Sequence, residues 1–125
     1  MRLLLVLAGG AIGSAGRYLV STWMADRFGA GFPWGTLTVN VAGSFLIGLI
    51  ATLADEAGRV GPHGRIFLVV GVLGGFTTFS SFSLETLRLV EQHELLRAAF
   101  NVLGGLTLAI AAAIGGIAAG RALGG

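Results

Sequence analysis

Four apolar stretches of roughly twenty residues each, a length that suits a membrane span, constrain this chain more than anything else in it. They cover approximately 3–24, 36–53, 66–90 and 98–119, with short polar loops between them. At a rise of about 1.5 Å per residue, the first extends roughly 33 Å, enough to cross a hydrocarbon core about 30 Å thick. Only 11% of the 125 residues are charged and 54% are hydrophobic. Soluble domains carry about 25% charged residues, so a water-soluble fold could not hide this much apolar surface. The expected fold class is an all-α membrane protein with four transmembrane helices in one domain, 1–125. The first stretch runs through Tyr18 to Trp23 without a clear cleavage site, which reads as a span rather than a signal peptide. Gly9 with Gly13, and Gly116 with Gly120, are spaced to let helices approach closely.

The third stretch departs from plain lipid-facing chemistry. Gly71-Val72-Leu73-Gly74-Gly75-Phe76-Thr77-Thr78-Phe79-Ser80-Ser81-Phe82-Ser83-Leu84 opens with glycines and then carries five hydroxyl side chains among three phenylalanines. In hydrocarbon every backbone N–H and C=O needs a partner, so a helix weakened at Gly74 and Gly75 is tolerated only against protein or a watery cavity. Carbonyls freed at such a break can bind a cation, and freed N–H groups an anion. Phe79 and Phe82 are three apart and share a helix face. Phenyl edges carry partial positive charge, so two such edges can meet a small anion. The stretch reads as the functional element of a small ion channel with a broken third helix.

Few other polar residues lie within the spans. Asn40 in span two either hydrogen-bonds across to another helix or turns an amide N–H to a pore anion. Arg17 in span one is either functional, as ionisable residues in membrane segments tend to be, or bonded to helix-end carbonyls. Glu85 stands late in span three. Asn101 and Thr107 are the polar side chains of span four. Four crossings put both termini on one side, with Arg2, Arg59, Arg65 and Arg121 there and Arg27, Arg88 and Arg97 opposite. So even a split sets no orientation under the positive-inside rule. A chain that inserts both ways can pair with itself, which predicts an antiparallel, dual-topology homodimer. A net charge of +2 without lysine offers no basic patch, so nucleic acid is not an expected partner. Without cysteine there are no disulfides or thiolate sites.

Three motifs, in register along the whole chain, resemble the CrcB (Fluc) family of fluoride channels. The first is Gly71 to Phe82, quoted above. The second is Gly9-Gly10-Ala11-Ile12-Gly13-Ser14-Ala15-Gly16-Arg17-Tyr18. The third is Gly35-Thr36-Leu37-Thr38-Val39-Asn40-Val41-Ala42-Gly43-Ser44-Phe45. The resemblance implies a dual-topology homodimer in a bacterial inner membrane, with two fluoride pores lined by both subunits. It makes Phe79 and Phe82 the pore aromatics, Asn40 the donor beside them, and Thr78 and Ser81 further hydroxyl contacts. It implies a structural sodium ion at the dimer centre, held by backbone carbonyls of Gly74 and Thr77 from both copies. Arg17, Thr36 and Glu85 match positions near the pore entrances. Span four departs from the family: Asn101 and Gly105 stand where a tyrosine and a serine are common. Asn101 keeps a donor, whereas Gly105 leaves Thr107 or a water to substitute.

Two other readings compete. A small multidrug-type exporter, coupled to protons, needs a membrane-embedded acid; spans one, two and four contain none, and Glu85 is late in span three. A non-conducting scaffold would explain the glycine faces but not the hydroxyl and phenylalanine run. Enzymatic chemistry is not expected, because the hydroxyl-rich run has no histidine or acid in reach to act as base.

Overall fold

A computed structural model describes residues 1–125, and the chain is entirely helical, with no strand. The helices are α1 (Arg2–Phe28), α2 (Trp34–Asp55), α3 (Pro62–Arg65), a π-helical stretch (Ile66–Leu73), α4 (Gly74–Phe76), α5 (Phe79–Glu91) and α6 (Leu95–Gly124). Four helical segments are long and apolar enough to cross a membrane: Arg2–Phe28, Trp34–Asp55, the composite Pro62–Glu91, and Leu95–Gly124. The helices run a few residues past the apolar stretches. Asp26 to Phe28 remain helical, and Pro62 starts α3 at the first-turn position that suits a residue lacking an N–H.

Only 16 of 125 residues are buried. Leu3, Leu7, Ile12 and Leu19 of α1, and Leu103, Ile110 and Ile114 of α6, are each more than half exposed. Such an outside is stable against acyl chains, not water, and the chain is a multi-pass membrane protein. The contacts that hold the bundle are backbone-to-backbone seams at glycine. α1 lies on the π-helical stretch so closely that a Cβ on Gly9 would stand 2.5 Å from the Phe67 carbonyl. A Cβ on Gly13 would overlap the Val72 carbonyl, and one on Gly116 of α6 would overlap the Phe45 carbonyl of α2. Lipid offers no hydrophobic drive between helices, so this close van der Waals contact does the work.

The third span is broken, though not where its glycines suggested. Gly74 keeps right-handed helical angles (φ −61°, ψ −37°), and the chain leaves the helix at Thr77 (φ −92°, ψ 159°) and Thr78 (φ −154°, ψ 119°). Gly74 and Gly75 therefore do not make the break. Gly75 instead makes room for α1, since a Cβ there would come within 2.7 Å of the Gly10 carbonyl.

At one end of the bundle, two bidentate ion pairs tie three span ends together. Arg65 donates to Asp55 at 2.9 and 3.1 Å, and Arg121 donates to Glu56 at 3.0 and 3.2 Å. The hydrogen bond from Arg121 holds the Glu56 carboxyl below its ordinary value of 4.5. That lowering means the contribution of the pair is complete above about pH 4.5 and is lost as pH falls through the lower folded-state value. Both groups are exposed, so the effect is small. In detergent melts, the wild type should exceed Glu56→Gln slightly at pH 7, and the gap should close towards pH 3. A gap independent of pH would remove the ion pair as its cause.

Candidate ion-conduction site

The break is built from side chains far away in sequence. Thr78 is the N-cap of α5, its Oγ1 accepting the Ser81 N–H at 3.1 Å. Its own N–H, which a continuous helix would give to the Gly74 carbonyl, goes instead to Asn40 Oδ1 at 2.8 Å. Asn40 Nδ2 returns a hydrogen bond to the Thr78 carbonyl at 2.9 Å. One side chain of α2 thus satisfies both backbone groups of an extended residue in the middle of the membrane, which is the condition for breaking a helix there. A primary amide has two N–H groups, so Asn40 keeps one beyond this clamp. Of the two roles open to Asn40, the cross-helix bond is present, and the spare N–H leaves room for the other.

Arg17 meets the other side of the break. Its Nε donates to the Gly75 carbonyl at 3.0 Å, so it binds a helix-end carbonyl. Thr77 Oγ1 donates back to the Leu73 carbonyl at 2.9 Å, and its methyl occupies the space left by the missing side chain of Gly43.

A groove of about 330 Å3 opens directly on this break. Asn40, Gly74, Thr77, Thr78, Phe79, Phe82, Asn101 and Gly105 line it, together with apolar residues of α2, α6 and the π-helical stretch. The Phe79 and Phe82 ring centroids are 5.6 Å apart and tilted by 44°. Phe82 is buried, whereas Phe79 is 72% exposed and stands on the open side of the groove. Gly105 seats the Phe82 ring: a Cβ there would come within 3.0 Å of it. Asn101, almost fully buried, donates to Thr86 Oγ1 at 2.9 Å, and Thr86 in turn donates to the Phe82 carbonyl at 2.8 Å.

Residues expected near the pore do not all converge. Ser81 is half-buried beside the cap and does not line the groove, nor does Arg17. Thr107 is exposed and lies outside it as well. Two positions along an α-helix is a turn of about 200°, so Thr107 cannot replace a side chain missing at Gly105. The sequence reading missed Thr86, whose signal was its spacing of four from Phe82, and it missed Gly105 as the seat of a ring.

Thr36 and Glu85 lie one turn away. Thr36 Oγ1 donates to Glu85 Oε1 at 2.6 Å. Both line a second cavity of about 330 Å3, at the end where α1 and α5 finish and α2 begins, with Ser21, Arg88 and Gln92. Thr36 to Asn40 on α2 is a step of four, and Glu85 to Phe82 on α5 a step of three. Each pair therefore shares a helix face, and the cavity and the groove follow one another along the same two helices. We call this second cavity the vestibule.

A helix broken in mid-membrane, its backbone clamped by an amide, beside a polar and aromatic groove with a second polar cavity further along the same helices, fits a polytopic membrane protein of the ion-conducting class. The family model described as CrcB-like protein, Camphor Resistance (CrcB), matches residues 4–117. The chain belongs to this CrcB-like family. It is 53% identical over 119 residues to a fluoride-specific ion channel FluC of Agrobacterium fabrum, covering 95% of each chain. A protein of the same name from Opitutus terrae is 54% identical, over 93% of this chain and 90% of its own. Another from Thermus thermophilus is 51% identical, over 98% of this chain and 95% of its own. The family is one of ion channels, not enzymes.

Proposed function

We propose that this chain is a passive, fluoride-selective channel that exports fluoride across a bacterial inner membrane and so relieves its toxicity. The observation that carries the reading is the groove at the helix break, which Phe79, Phe82 and Asn40 line together. Relatives about half identical over nearly their whole length are named for fluoride conduction, and no exporter-type acid lies in that groove.

Fluoride is small and strongly hydrated, so donors and positive ring edges must replace its water as it enters. Asn40 supplies a donor, with the Thr78 hydroxyl beside it on the groove wall and Ser81 one step behind at the cap, and Phe79 and Phe82 supply edges. Asn101 and its Thr86 partner fix the far wall. Chloride, being larger, is refused by width. An inside-negative potential drives a permeant anion outward by about 2.3 kcal/mol per charge per 100 mV, so no pump is required.

In this reading the working unit is an antiparallel homodimer with two pores. The exposure of Phe79, on the open side of the groove, supports a second copy that completes the lining. A structural sodium ion between the copies suits the break. The Gly74 carbonyl has lost its helical donor to Asn40, and Gly74 is exposed, so it can be reached from a partner copy. Carbonyls of Gly74 and Thr77 from both copies would hold the ion with the oxygen ligands a hard cation prefers. The ion would supply the charge that keeps two opposed breaks in register.

The test is fluoride release from liposomes containing the purified protein, read with a fluoride electrode, with chloride as the control. Rapid fluoride release with chloride retained is the expected result. No release in sodium buffer would overturn the channel reading.

A further inference from the structure

We propose that Arg88 recruits fluoride into the vestibule and offsets the negative charge of Glu85 at its wall. This rests on the channel reading above and names a residue that the reading leaves without a role. Arg88 and Glu85 are the charged residues lining that cavity. The Glu85 carboxylate is fixed there by Thr36, and alone it would repel an approaching anion.

Arg88 is uncommitted where its neighbours are not. Among the arginines at this end of the bundle, Arg27 lies over the Trp23 ring at 5.0 Å. Arg97 donates to the Gly31 carbonyl at 3.0 Å and pairs with Glu94. The ion pairs of the chain are Arg65–Asp55, Arg97–Glu94 and Arg121–Glu56, and Arg88 takes part in none of them. Its position is directional as well. Steps of three along α5 lead from Phe79 through Phe82 and Glu85 to Arg88, a winding ladder in which each residue neighbours the next while its two ends, nine residues apart, point to opposite sides of the helix. A guanidinium at the head of that ladder places positive charge at the mouth and leaves the groove itself uncharged. An anion is then concentrated at the entrance without being trapped inside, as conduction requires. With Arg88 present the charges on the vestibule wall balance, whereas without it Glu85 alone would repel an anion, an electrostatic effect that is strongest at low salt and screened at high salt. An arginine in the last turn of α5 also complements the helix dipole, a role that affects stability but gives flux no salt dependence.

The experiment measures initial fluoride efflux from neutral phosphatidylcholine liposomes for the wild type, Arg88→Gln and Arg88→Lys. Ionic strength is raised with an impermeant salt from about 0.01 M to about 1 M, over which the Debye length falls from about 30 Å to about 3 Å. Recruitment predicts a several-fold loss for Arg88→Gln at low salt that shrinks towards none at high salt, and near-normal flux for Arg88→Lys throughout. An unchanged Arg88→Gln, a loss of equal size at every salt concentration, or an Arg88→Lys as slow as Arg88→Gln would each overturn it. A wild type that releases no fluoride overturns the channel reading and the recruitment role with it. A conducting wild type with a salt-independent variant overturns recruitment alone.

Discussion

Asn40→Ala should reduce fluoride flux by on the order of 100-fold or more and loosen the fold at the same time. The alanine removes both partners of Thr78, leaving an N–H and a C=O orphaned at membrane depth. Each such group costs about 1–3 kcal/mol when buried without a replacement bond. The Thr78 N–H can then return to the Gly74 carbonyl only if the chain rebuilds a continuous helix, which would move Phe79 and Phe82 off the groove. Asn40→Asp separates the two roles. An aspartate still accepts from the Thr78 N–H, so it should melt closer to the wild type than alanine does, yet its charge faces an anion path and flux should still be lost. If the alanine variant conducts normally, the clamp has no part in the pore.

Gly13→Leu should yield no monodisperse protein in detergent and no flux. The space beside Gly13 is occupied by backbone: a Cβ there would overlap the Val72 carbonyl and stand 2.8 Å from the Phe76 nitrogen. Backbone cannot swing aside like a side chain, so α1 must retreat from the third span as a unit, taking Arg17 away from Gly75. Overpacking commonly costs about 1–3 kcal/mol, and here it also unsatisfies the break. Gly13→Ala should already be damaging. Gly10→Ala, three residues earlier, is the matched control, because a Cβ there meets nothing within 4 Å. Alanine is also favoured over glycine in a helix interior by about 1 kcal/mol. Equal tolerance of Gly10→Ala and Gly13→Ala, read by size-exclusion profile and thermal melt, would show that the seam does not limit stability.

These two sites also mark how far the sequence could be read. The four spans were legible because a run of apolar residues long enough for hydrocarbon has few other uses. The groove residues of the third span were legible because hydroxyls and phenylalanines together have no purpose against lipid. The position of the break was not. A glycine pair in a membrane helix marks a weak point and a close approach with the same letters, and Gly74-Gly75 proved to belong to the helix. What ends the helix is Asn40, 38 residues earlier, and nothing local to Thr78 declares that its N–H is committed elsewhere. Gly105 is the mirror case: in sequence it was a missing polar side chain, whereas in space it is the seat of the Phe82 ring. Arg17 lay between, since either of its two readings needed a partner that only the fold could supply.

The Arg17 bond carries a consequence for biosynthesis. Its acceptor, Gly75, lies 58 residues downstream, and at about 5–20 residues per second a ribosome needs roughly 3–12 s to make that length of chain. For that interval α1 carries a guanidinium without its carbonyl, and a central arginine costs about 2.5–3.5 kcal/mol on translocon scales. Newly made α1 is therefore poorly committed to the lipid and gains its final partner only when the third span arrives.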